Sequence, residues 1–140
     1  MTGFGDSYNA VFAAAATIFG GVTGIKKAVD SMLALGPDFP QVLITPEPSP
    51  SEPGAVASVL DVTVNFSVAV LVTVVEPKNW RKEIVPVMGL VSDAVLANAS
   101  LNGSVRNCHQ TLFAPGELAF KNRVFYGGVI KFSARLRYQK

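Results

Sequence analysis

The sequence has few of the side chains on which most enzymatic chemistry depends. It contains one cysteine, Cys108, and one histidine, His109. A single thiol excludes an internal disulfide and a cysteine-based zinc cluster. Neighbouring residues on a strand point to opposite faces, so Cys108 and His109 would not converge as a nucleophile and its base.

Charged residues are also scarce, at 16% of the chain against about 25% in ordinary soluble domains. This shortage indicates that other chains cover part of the surface. The apolar stretch from Ala10 to Phe19 is shorter than the roughly 20 residues of a membrane span, and no basic residues precede it as in a signal peptide. We therefore expect no membrane partner and synthesis in the cytoplasm.

Other candidates for a reactive site are weak. Gly20-Gly21 and Gly127-Gly128 lack the lysine, hydroxyl and strand–turn–helix context of a nucleotide-binding loop. Two carboxylates, Glu47 and Glu52, lie in a segment that we predict to be exposed, where burial would not tune a pKa. We predict no catalytic residue, no metal ligand and no cofactor, and expect that the protein is not an enzyme.

The two halves of the chain carry opposite charge. Residues 1–76 have two basic and seven acidic side chains, a net charge of −5, whereas residues 77–140 have ten basic and three acidic ones, a net charge of +7. Three explanations remain open from the sequence. The chain binds a polyanion, copies of it pack with complementary faces together, or the two halves interleave within one domain.

The residue pattern in the first half of the chain predicts a helix, a strand and a loop. Apolar residues at helical spacing indicate a helix over residues 6–19, which Gly20-Gly21 ends. A short strand follows Pro40, over residues 41–45. Four prolines then fall within residues 46–53, and this segment predicts an exposed extended loop. We interpret the loop as a partner-contact arm carrying Glu47 and Glu52.

The strongest pattern in the sequence runs from Leu60 to Val74. Every even position is apolar, and most odd positions are polar, which is typical of a strand with one buried face. Fifteen residues at about 3.3 Å each span roughly 50 Å, far more than an average strand. Toward the end of the run Ala69 and Leu71 make the odd face apolar too, so we expect cover on both faces there.

The second half predicts a helix and two more strands. Asn79 can cap a helix that runs to about Ala99. Pro86 lies inside this pattern, so it either kinks the helix or marks a later start. The sequence predicts a strand over residues 105–113 and a loop over residues 114–116. A long alternating strand occupies residues 123–138, with a bulge or bend expected at Gly127-Gly128.

These elements predict an α+β fold over a single domain, residues 1–140. Crossover helices do not alternate regularly with the strands, which favours an antiparallel sheet with long strands and two helices packed on one face. One face of the last strand carries Lys131, Arg135 and Arg137. We interpret these three side chains either as lumen or interface contacts with a partner chain or DNA, or as an ordinary solvated face.

The order of elements resembles that of the tail terminator proteins of long-tailed phages, also called tail-completion or minor tail proteins of the neck. The resemblance lies in an N-terminal helix, a proline-led strand at Phe39–Pro46, and a long alternating strand. Next comes a helix that ends in the segment Ala94–Val105, where Leu101-Asn102-Gly103-Ser104-Val105 forms the turn into a strand, and a loop and a final long strand follow. The resemblance covers most of the chain, but the proline-rich loop at residues 46–53 departs from the pattern of the family.

The resemblance implies a structural virion protein without catalytic residues. It would form a hexameric ring with copies of itself, end the tail tube, contact the tail tube protein and join the head-completion or connector protein. Its place would be the neck of the virion, after synthesis in the host cytoplasm, with DNA passing through. Two alternatives stay open: a tail tube or other neck subunit, and a small nucleic-acid-binding β-sheet domain.

Overall fold

The computed structural model describes residues 3–29, 39–54, 56, 58–74, 78–120 and 123–140. Within them lie two helices and a mostly antiparallel six-stranded sheet, which confirms the α+β prediction. In chain order the elements are α1 (Phe4–Gly20), β1 (Lys27–Val29), β2 (Gln41–Glu47), β3 (Ser51–Pro53), β4 (Val59–Val74), α2 (Trp80–Ala97), β5 (Arg106–Phe120) and β6 (Arg123–Gln139).

Three long strands dominate the sheet. β4, β5 and β6 have 16, 15 and 17 residues, and the strand order is β1-β2-β4-β6-β5. β3 pairs with β4 beyond the end of β2, on the same side of β4 as β2. Only β1 and β2 pair in parallel. The predicted length of β4 is therefore confirmed, and β6 lies between β4 and β5.

Both helices pack on one face of this sheet. The alternation in β4 places its even positions in the core, where Phe66 contacts Phe132 of β6 with ring centroids 5.5 Å apart. Phe12 of α1 meets Phe66 edge-on at 5.8 Å, and α2 adds Ile84, Met88, Val91 and Val95. Each such fully buried side chain contributes about 1.5–3 kcal/mol through the hydrophobic effect. The core therefore lies between the helices and the even face of β4.

The helix ends differ in detail from the prediction. α1 begins two residues earlier than expected, at Phe4, and the Gly3 backbone N–H donates to the Asp6 carboxylate at 3.3 Å. α2 begins right after Asn79 and contains Pro86, so the alternative of a late start is wrong. The Asn79 side chain makes no capping hydrogen bond.

The proline-rich segment is largely part of the sheet. Pro46 and Glu47 end β2, residues 51–53 form β3, and only residues 48–50 lie between them. The Thr63 backbone N–H donates to the Pro50 carbonyl at 2.9 Å, and the Asn65 side chain donates to the Pro48 carbonyl at 3.1 Å. The prediction of a loop over 46–53 is therefore wrong at both ends. Prolines are accepted here because this is an edge of the sheet, where a missing N–H breaks no ladder.

The predicted loop at residues 114–116 is also wrong. Ala114, Pro115 and Gly116 pair with Val129, Gly128 and Gly127 inside a continuous β5. β5 is the edge strand of the described sheet, which again explains how a proline fits in it. Val105 precedes the strand rather than opening it.

The Gly127-Gly128 pair allows neighbouring backbones to approach β6. A Cβ at position 127 would lie 1.7 Å from the Val70 carbonyl oxygen, and one at 128 would lie 2.4 Å from that of Ala114. The expected irregularity is present beside the glycines, since the register of β4 against β6 shifts between Leu71 and Thr73. The extra residue, Val72, thus belongs to β4.

A second, smaller apolar cluster lies on the face of the sheet away from the helices. Leu43, Leu71 and Phe125 are buried there, and Ala69 and Phe39 pack against them. The prediction that the far end of β4 is covered on both faces is therefore confirmed.

Candidate functional site

The face of β2, β4, β5 and β6 that points away from the helices is called the outer face. Apart from the small apolar cluster at one end, most side chains in its middle are polar, and the exposed Leu112 of β5, opposite Lys131, is an apolar exception. Thr45, Ser67 and Lys131 share one row across three strands, and Asn65 and Ser133 share the next. The outer face is thus a long, mostly polar surface that neither described helix covers.

Lys131 and Glu47 form a pair on this surface. The Lys131 ammonium lies 3.0 Å from the Glu47 carboxylate. The sequence assigns them separate roles, Lys131 to the basic face and Glu47 to a contact loop. The pairing of β2, β4 and β6 brings them together and leaves little net charge in the middle of the outer face.

Arg137 is also paired. Its Nε donates to Asp61 Oδ1 at 2.9 Å and its second terminal nitrogen to Oδ2 at 3.4 Å. The hydrogen bond from Arg137 holds the pKa of the Asp61 carboxyl below its ordinary value, with smaller contributions from Arg135 and Arg106. Both ion pairs join an acid of the first half to a base of the second, so the two charged halves do interleave in one sheet.

Arg135 and Arg106 differ from Lys131 and Arg137, each of which is paired with a carboxylate. They stand directly opposite each other across β6 and β5, and neither forms a salt bridge with a described residue. Like charges in this position repel. Together with Arg137, two positions along β6, they form what we call the cationic cluster: Arg106, Arg135 and Arg137.

The cationic cluster borders a shallow depression of about 250 Å³ at this end of the outer face. Asp61, Thr63 and Asn107 also line it, and Glu52 closes the side formed by β3. Glu52 pairs in register with Asp61, so both carboxylates lie on the same face as the arginines. The structure therefore brings Glu52, Arg135 and Arg137 of the predicted residues into one place.

Arg106 was missed by the sequence analysis. Its position opposite Arg135 depends on an extra residue in β5, since the register shifts between Arg106 and His109. Asn107 within this shift has φ of 51°, a left-handed conformation that asparagine tolerates better than most residues. The Asn102-Gly103 turn indicated that a strand follows, but no local signal gives its register.

Cys108 and His109 do not form a reactive pair. Cys108 is buried, and the loss of solvent around it raises the pKa of its thiol to about 12. His109 is exposed, with its Nδ1 3.1 Å from the Asn107 carbonyl oxygen. Among the described residues no group of three or more histidine, cysteine, aspartate or glutamate side chains is placed to hold a metal ion.

Both edges of the described sheet carry features that hinder pairing with another strand. On one side the outermost strand, β1, has only three described residues, and the edge that continues along β2 and β3 contains Pro46, Pro48, Pro50 and Pro53; on the other side β5 has two register shifts and Pro115. Prolines and bulges of this kind protect an edge against β-pairing with other chains. Contacts between copies through the faces are therefore favoured over extension of the sheet.

Comparison with protein-family models found no matching family, and comparison with curated proteins found no matching sequence. Neither of the two helices in the described ranges combines the length and apolarity of a transmembrane helix.

Proposed function

We propose that the chain is a structural subunit of a long-tailed phage, a tail terminator that forms a ring at the end of the tail tube. The observation that carries this proposal is the outer face, a mostly polar surface that three strands of 15 to 17 residues build and that the described helices leave uncovered. A strand of 16 residues spans roughly 50 Å at about 3.3 Å per residue. Such a face suits the wall of a channel better than a pocket for a small molecule.

Exposed leucines support contact with other chains. Leu96 on α2 is 76% exposed and Leu90 is 43% exposed, on the helical side of the molecule away from the outer face. Single exposed leucines also occur on monomers, so these two identify α2 as the surface on which to test contact with a neighbouring subunit. In a ring, the exposed side of α2 would meet a neighbouring subunit while the outer face lines the lumen. The tail tube protein and a head connector protein are the partners that the resemblance implies.

Light scattering coupled to size-exclusion chromatography tests the ring. We expect a species of about 90 kDa, six times the 14.8 kDa chain, in accordance with closed symmetry. Leu96→Glu should dissociate it, because a buried unpaired carboxylate is costly in an interface. Asn9→Glu, which adds the same charge at an exposed polar site on α1, serves as the control and should leave the ring intact.

Two results would count against the proposal. A monodisperse 14.8 kDa species at every concentration tested would contradict ring formation. A ring that Leu96→Glu leaves unchanged would remove α2 from the interface, and the placement of the outer face in the lumen would lose its support.

A further inference from the structure

We propose that the cationic cluster is a binding site for the backbone phosphates of a nucleic-acid duplex. This inference concerns the single subunit and does not depend on ring formation. It rests on the juxtaposition of Arg106 and Arg135, on the composition of the surface around them, and on the Asp61 carboxylate that holds Arg137.

Arg106 and Arg135 are the first line of evidence. Their direct cross-strand opposition brings two positive charges together on the outer face, without a described carboxylate within salt-bridge distance of either. This arrangement costs folding free energy, and a bound anion would offset the cost. Guanidinium groups bind phosphate through two parallel N–H donors, which makes arginine the residue best suited to this ligand.

The surroundings indicate phosphate contacts rather than base contacts. Thr63 and Asn107 line the depression beside the arginines, and hydroxyl and amide side chains are common donors to phosphate oxygens. None of the described residues that line the depression is aromatic; the described aromatic contact on the outer face, Phe39 with Phe125, lies at the opposite end of the sheet. Base stacking on aromatic rings is the usual means of holding single strands. A duplex bound without sequence preference is therefore the ligand that fits.

A protein partner fits this end of the outer face less well. Protein interfaces usually have an apolar and aromatic centre with a polar rim. Most of the described side chains around the cationic cluster are charged or polar, and Pro50 is the exposed apolar exception; the polar ones are Glu52, Asp61, Thr63, Arg106, Asn107, Arg135 and Arg137. We therefore assign the cluster to a polyanion of nucleic acid and make binding of an acidic peptide an outcome of the test.

Asp61 and Glu52 set the affinity of this site. Asp61 engages Arg137 with two hydrogen bonds, so only two of the three arginines are free for an external anion. Glu52 adds a second negative charge to the depression. Removal of either carboxylate should therefore strengthen binding, and Asp61→Asn should also release Arg137.

Fluorescence anisotropy with a labelled duplex of about 20 base pairs, at about 50 and 200 mM salt, measures these effects. Arg106→Ala and Arg135→Ala should each weaken binding about fivefold and reduce the slope of log K against log salt by about 1. Asp61→Asn should strengthen binding about threefold and make the slope steeper. Both arginines are exposed, so circular dichroism should show unchanged folding in the alanine variants.

Two matched controls remove a positive charge elsewhere. Lys131→Ala deletes a cation already paired with Glu47, and Arg81→Ala deletes an exposed cation on α2. Both should bind the duplex within about twofold of the unchanged protein, because neither contributes a free phosphate contact.

Three outcomes would overturn the proposal. Equal losses in the controls and in Arg106→Ala would show a diffuse charge effect. Weaker binding by Asp61→Asn would contradict the role of its carboxylate. Tight binding of an oligoglutamate peptide, lost in Arg106→Ala, together with no duplex binding would assign the cluster to an acidic protein segment. Light scattering on the same variants reports the ring separately, so failure of this site is distinguishable from failure of the proposed function.

Discussion

Single residues decide how closely the long strands approach one another. Gly127 and Gly128 interrupt an otherwise bulky strand, and both lie where a Cβ would collide with backbone atoms of β4 or β5. The sequence indicated an irregularity at this pair. It did not indicate that the need for glycine comes from two neighbouring strands, because those contacts join residues more than ten positions apart.

Gly127→Ala should destabilise the fold by about 3 kcal/mol, since the new methyl group would lie 1.7 Å from the Val70 carbonyl oxygen and the strands would have to separate. Urea unfolding followed by circular dichroism gives this value. Gly89→Ala is the matched control. Nothing lies within 4 Å of its added Cβ, and alanine in the middle of α2 should raise the unfolding free energy by about 0.5–1 kcal/mol. Equal stability of the two variants would contradict the close approach.

At the scale of elements, both helices and the long strands β4 and β6 follow from periodicity, whereas the sequence predicts β5 as a short strand followed by a loop. Proline in residues 46–53 and 114–116 predicts loops, but both segments lie at sheet edges and pair on one side. Proline is a reliable sign of a loop only where the strand would be central. Which strand is at the edge depends on the whole sheet.

α2 offers a test of the cost of an internal proline. Pro86 lies within the helix and is exposed, so it leaves one turn without its backbone hydrogen bond and packs little in return. Pro86→Ala should raise the free energy of unfolding by about 1 kcal/mol, less than the full cost of a helical proline because the unfolded chain also gains freedom. Thermal unfolding measures the gain. A fall in the melting temperature would show that the proline supports the position of α2.

For the whole molecule, Cys108 reports on opening of the core. It is the only cysteine in the chain, it is buried, and burial raises the pKa of its thiol to about 12. The thiolate is the reactive form, so a thiol reagent at pH 8 should react with the folded protein only as fast as the fold opens. In denaturant the reaction should be immediate. Rapid labelling under native conditions would contradict the burial of Cys108.

The same thiol makes the free energy of unfolding depend on pH, and the direction of this dependence follows from its raised pKa. Between its ordinary pKa of 9.0 and the raised value of about 12, the unfolded chain loses the proton while the folded chain keeps it. Folding stability from this group is therefore present below pH 9 and declines as pH rises toward 12. Cys108→Ala should show a shallower decline in urea titrations over this range, and an identical decline in both proteins would contradict the shift.

The sequence by itself determined the fold class, the buried face of β4 and the scarcity of reactive side chains, because periodicity and composition are local properties. Tertiary structure decided that Glu47 pairs with Lys131, that Asp61 holds Arg137, and that Arg106 opposes Arg135. These relations depend on the register between strands that are far apart in sequence, and bulges in β4 and β5 shift that register by a residue at a time. The candidate site at the cationic cluster therefore becomes visible only once the strands are aligned.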